Sequence, residues 1–217
     1  MAIVDSIMNL LTRQVTSSLA ERLGASPLDV QMGLGSSIAA LVAGISSRAG
    51  DAGFVTQVFQ MVKGADTQKI LEMLPSLASG TGTSSPVVEL GSKLSTLLLR
   101  GQQSQVEDLI GDQSGLGAGA GGELMSLAAP LTAGFLGHQI RDSGLTPSAF
   151  ADLMRHEAVK IRGFLPLGFP RILSPVSAPP SLTTKKVAAG EGIGRKVGYT
   201  LVGLLILALM TWLVLRA

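Results

Sequence analysis

The chain has 217 residues, 46% of them hydrophobic and 4% aromatic, with a mean hydropathy of +0.43 and no cysteine. That is enough apolar material for one core, and it leaves no disulfide, thiolate metal ligand or thiol nucleophile to consider. The formal net charge of +2 comes from beyond residue 184, where Lys185, Lys186, Arg195, Lys196 and Arg216 face only Glu191. The first 184 residues are therefore acidic on balance, and no nucleic-acid partner is expected, since that would need a basic folded face with interleaved aromatics.

In chain order the patterns are helical throughout. Ile3, Val4, Ile7, Met8, Leu11, Val15, Leu19 and Leu23 recur three and four apart, which predicts one amphipathic helix stopped by Gly24. Its opening carries Asp5 and lacks a long apolar h-region, so it does not read as a signal peptide. Ser26 and Pro27 are a cap and a first helical residue, with Asp29 at the positive end of the dipole, for a helix to about Ser47. Shorter helices are expected over 54–63 and over 67–74, the latter capped by Asp66 and stopped before Pro75. Residues 76–86 (SLASGTGTSSP) read as a loop, followed by helices over 87–99, 104–110, 117–137 and 147–161. Five of the ten prolines fall between 166 and 180, so regular structure should end near Gly163. An all-α domain over 1–173 is expected, its last ten residues folding back on it, then a Pro-containing basic linker over 174–196.

Two of these helices share a pattern. AALVAG (39–44) and APLTAG (129–134) agree at four of six positions, and Gly35, Ala39 and Ala43 lie four apart on one face, as do Gly122 and Ser126. Small residues so placed let a second helix approach closely, which can offset the ~1 kcal/mol that glycine costs inside a helix. Gly35, Ala39, Ala43, Gly44 and Gly134 are thus the expected helix-packing residues.

Residues 197–215 (VGYTLVGLLILALMTWLVL) form one uncharged run. At about 1.5 Å per residue it matches a ~30 Å hydrocarbon core, and its eleven Leu, Ile and Val favour insertion by roughly 3 to 6 kcal/mol. Tyr199 and Trp212 suit the two interfaces, and Lys185, Lys186, Arg195 and Lys196 before the run favour a cytoplasmic N-terminal bulk. The expected address is a membrane, crossed once by a C-terminal tail anchor, with the lipid bilayer as first partner.

The stretch from ELGSKL through RGQQSQVEDLIGDQSGLG and ELMSLAAPLTAGFLGHQI to GLTPSAFADLM and FLPLG resembles the YidB-like family of bacterial domains of unknown function. The resemblance covers roughly residues 5–170 and is strongest over 89–168, with Leu167-Gly168 reversing the family's usual Gly-Leu ending. It implies a compact multihelical domain, no established activity and a bacterial origin, so that the expected membrane is a bacterial inner membrane.

Chemistry-bearing patterns are sparse. His156-Glu157 lacks a second histidine at the HExxH spacing, and His138 is expected to end its helix, where a cation suits the dipole. GAGAGG (117–122) satisfies GxGxxG but follows no strand, and Glu107, Asp108 and Asp112 read as a solvated end. No serine has a nucleophile-elbow context. No catalytic residue, metal or cofactor is expected. Two function classes remain. One is a membrane-tethered interaction or scaffold module that binds a protein partner or itself. The alternative is a membrane-active or pore-forming assembly in which 30–45 and 116–137 insert beside the tail, although Glu123 and Pro130 are unhelpful in lipid.

Overall fold

A computed structural model describes residues 2–169 apart from 83, 84 and 118. The described residues form nine α-helices and one short 3-10 turn, with no strand. The tail run, the linker, and with them Lys185, Lys186, Arg195, Lys196, Tyr199 and Trp212 lie outside the described residues.

The single helix expected before Gly24 is two: α1 (Ile3–Met8) and α2 (Arg13–Leu23). Leu10 and Leu11 donate to the carbonyls of Ile7 and Met8, tightening the end of α1, and the Thr12 hydroxyl accepts from the Val15 N–H at 3.3 Å to open α2. Both helices bury their apolar residues, so the three-and-four repeat runs across the corner without registering it. Gly24, at φ +63°, ends α2 as expected: its N–H reaches the Glu21 carbonyl while the Ala25 N–H reaches that of Ala20.

The next helix, α3 (Pro27–Ser46), begins where Ser26-Pro27 placed it, with the Ser26 hydroxyl accepting from the Asp29 N–H at 3.2 Å. Asp51 caps α4 (Ala52–Lys63), and Asp66 caps α5 (Thr67–Ala78) through the N–H groups of Gln68 and Lys69. Pro75 does not stop α5. It sits inside the helix, because Ile70, Leu74 and Ala78 make a buried stripe whose packing outweighs the missing hydrogen bond. The expected loop accordingly starts later, at Ser79.

The remaining helices are α6 (Pro86–Leu99), α7 (Gln103–Gln113), α8 (Ala120–Asp142) and α9 (Pro147–Lys160), closed by the 3-10 turn Ile161–Gly163. Thr146 caps α9, echoing Ser26. Of the segment expected to fold back after Gly163, Phe169 is buried in the core and Leu165 packs against it.

Two helices form the heart of the fold. α8 packs against α1 and α3 to α7, and α3 touches α1, α2 and α6 to α9. Both are apolar nearly all round, from Val30 to Ile45 in α3 and from Leu124 to Ile140 in α8, which is the pattern of a helix surrounded by others. The T-shaped pair Phe59–Phe150, with ring centroids 5.9 Å apart, joins α4 to α9.

One buried acid ties the N-terminus down. Glu157, 2% exposed, accepts from the Ile3 N–H at 2.9 Å and from Lys160 Nζ at 2.6 Å, so a side chain of α9 caps α1. Glu157→Ala leaves that N–H unsatisfied and should cost about 1–3 kcal/mol. Amide exchange should accelerate first over α1, with Glu157→Gln milder. Unchanged exchange of α1 in Glu157→Ala would show that the cap does not hold it.

Candidate interaction surface

The expected helix-packing residues separate once they are placed. A Cβ on Gly134 would lie 2.8 Å from Ile70 Cδ1 and 3.5 Å from Thr67 Cα, and the Gly134 carbonyl accepts from Thr67 Oγ1 at 2.7 Å. That is a close crossing of α8 with α5. At Gly44 a Cβ would meet Leu98 Cβ at 3.1 Å, a crossing of α3 with α6. Ala39 and Ala43 are buried inside α3. At buried Gly35 an added Cβ would have Phe164 Cδ1 as its near neighbour at 3.7 Å, an ordinary contact that leaves room for a methyl group.

The tightest approaches lie at glycines not singled out by the repeat. Gly33 faces Leu124, and Gly91 of α6 faces the Pro130 ring, with a Cβ only 2.6 Å from Cδ. Gly121 abuts the backbone carbonyl of Glu107, and Gly137 that of Val62. Three residues past Gly134 on the same helix, Gly137 was a readable candidate, and Arg141 one turn on extends the track by donating to the Lys63 and Ala65 carbonyls at 2.7 and 2.8 Å. GAGAGG is likewise a packing device. Gly117 and Gly119 take positive φ in the turn, and Gly121 lets α8 start against α7. Ser126 is exposed, so the Gly122–Ser126 pair does not face the core.

The polar groups that the sequence singled out take the following places. His138 is exposed and stands a turn inside α8, not at its end as expected, because the helix continues to Asp142. His156 is exposed, with Nδ1 3.2 Å from the Asp152 carbonyl oxygen. Glu107 accepts from Gln103 Nε2 at 2.7 Å. Among the described residues no three His, Asp or Glu cluster as a metal site would need, and every buried side-chain polar atom has a partner, as Thr132 does in the Ala128 carbonyl. Asp51 is held below the usual carboxylate range by the Phe54 N–H and Arg48, and Glu89 by Lys93, both as solvated helix acids.

Two features of the described surface bear on binding. A shallow groove of 460 Å³ runs between α4 and α9, floored by Ala49, Val55 and Ala151 and edged by Arg155, which is already paired with Asp152. The second is a set of exposed large apolar side chains: Leu28 and Met32 on α3, Val159 on α9, and Phe164 and Leu167 after the 3-10 turn. Leu28, Met32 and Gly35 fall within one narrow face of α3, at spacings of four and three, and Phe164 rests against Gly35. Leu28, Met32 and Phe164 therefore line one side of the domain.

Comparison with known families decides the lineage: a family described as bacterial proteins of unknown function (DUF937) matches residues 5–139, more than half of the chain. The chain belongs to that family. No curated protein and no solved structure matches it. The DUF937 match takes in α3 whole and closes inside α8, so both central helices belong to the family region. α9 and the 3-10 turn follow the match, yet their Phe150, Met154 and Ile161 are buried in the same core.

Proposed function

We propose that this DUF937 protein, of YidB-like type, is a membrane-tethered interaction module. Its helical domain recruits a protein partner or a second copy at the cytoplasmic face of the bacterial inner membrane, and residues 197–215 are the anchor. The observation that carries the reading is the contrast between an uninterrupted apolar run of nineteen residues and a domain whose own apolar helices are already consumed by its core. Among the described residues, α3 is the helix long and apolar enough to cross a membrane by length and composition, and 67% of its most apolar window is buried against the rest of the domain. Inserting α3 or α8 into lipid, as the membrane-active alternative requires, would dismantle the packing at Gly33, Gly91 and Gly137.

The test is replacement. Exchanging residues 197–215 for an unrelated single-pass span, or lengthening the linker by about ten Gly/Ser residues, should preserve complementation of a deletion strain. A pore-forming assembly would tolerate neither, because its central helices must meet the tail in fixed geometry. Dye leakage from liposomes that the wild type causes and both variants lose would overturn the tethered reading.

A further inference from the structure

We propose that the apolar side made by Leu28, Met32 and Phe164, continued in the chain by exposed Leu167, is a lipid-docking face, by which the domain lies down on the bilayer surface that holds its tail. The inference rests on the tethered reading above and adds an orientation to it.

Four observations converge. Leu28 is 64% exposed, Met32 48%, Phe164 37% and Leu167 83%, whereas α3 is almost wholly enclosed from Gly33 onward. Leu28 and Met32 belong to the same face of α3 as Gly35, where an added Cβ would lie 3.7 Å from Phe164 Cδ1, so Phe164 comes from a separate part of the chain to that face. The strip adjoins the exit of the chain: Leu167 is two residues before Phe169, the last described residue, and 27 residues separate Phe169 from the apolar run at Val197. Even fully extended, 27 residues reach no farther than about 90–97 Å, so a bilayer holding the run is always within the domain's range and its effective concentration is high. Finally, exposed Arg162 lies within the 3-10 turn, two residues before Phe164, and the linker adds Lys185, Lys186, Arg195 and Lys196, a charge suited to anionic headgroups.

Lipid fits this strip better than a second copy does. A stable protein interface draws on about 20–30 residues a side, and four side chains fall far short. Shallow insertion of a few bulky apolar groups is how a surface-lying element holds to headgroups, and a domain already tethered needs no more than that.

The absence of cysteine makes the test direct. Full-length Met32→Cys, Leu167→Cys and, as a reference on an exposed α6 position, Lys93→Cys would each carry a small environment-sensitive fluorophore. Each would be reconstituted into phosphatidylethanolamine vesicles containing phosphatidylglycerol. Dye at 32 and 167 should shift to the blue and be quenched severalfold more strongly by doxyl-labelled lipid than dye at 93. Adding Leu28→Ser should weaken the quenching at 167 while the protein still floats with the vesicles, and because Leu28 is mostly solvated this change spares the fold. Equal quenching at all three positions, or none at 32 and 167 in protein that floats, would overturn the docking face while leaving the tether standing. Self-quenching between labelled molecules without lipid quenching would overturn it in favour of a second copy. Protein that does not float at all would overturn the tether and the docking face together.

Discussion

Gly137→Ala should lower the melting temperature of the purified protein, and Gly35→Ala should raise it. The two substitutions are chemically identical and both replace a helical glycine, so each gains about 1 kcal/mol of helix propensity. What differs is the space. At Gly137 the new methyl group is driven into the backbone carbonyl of Val62, at the end of α4, where no side chain can swing aside. At Gly35 it meets only the Phe164 ring edge at ordinary distance. Overpacking of this kind costs typically 1–3 kcal/mol, and a backbone obstacle puts Gly137 at the upper end. After the propensity gain the net loss is about 1–2 kcal/mol, or roughly 2–8 °C in a chain of this size, against a gain of about 2–4 °C for Gly35→Ala. Gly137→Leu should be worse still. Thermal unfolding followed by circular dichroism checks the pair, and a melting temperature of Gly137→Ala at or above wild type would show that α8 can slide off α4 without cost.

The larger effect is expected at the tail. A soluble reporter followed by residues 185–217 should remain in the membrane pellet after alkaline extraction, and Leu205→Arg should move much of it to the supernatant. An arginine at the middle of a span costs about 2.5–3.5 kcal/mol on the insertion scale. That is comparable with the roughly 3 to 6 kcal/mol that the eleven Leu, Ile and Val supply before the glycines, threonines and alanine are counted. Release of the unaltered fusion would mean that the apolar run does not anchor.

The helical partition was largely readable because its punctuation is local chemistry. Ser26, Asp66 and Thr146 each present an oxygen to N–H groups two or three residues on, Gly24 takes a left-handed conformation, and none of this depends on what packs nearby. The places where local reading failed are those where a distant group decides. Pro75 was expected to stop a helix, yet the stripe of Ile70, Leu74 and Ala78 against the core carries α5 three residues past it. The corner between α1 and α2 is hidden because both helices turn apolar residues to the same interior, and periodicity records the facing of side chains rather than the direction of the axis.

By itself, then, the sequence determined the all-α class and most helix starts, since each follows from spacing, caps and composition within a few turns. Only the tertiary structure decided which glycines matter. Gly35 and Gly137 look alike in the sequence, and their difference is the Phe164 ring on one side and the Val62 carbonyl on the other, groups more than seventy positions away in the chain. The same holds for Glu157, an unremarked helix acid until α1 brings the Ile3 N–H within 2.9 Å of it from the far end of the domain. Close approach and burial are properties of pairs distant in sequence, and short-range pattern carries no information about the second member.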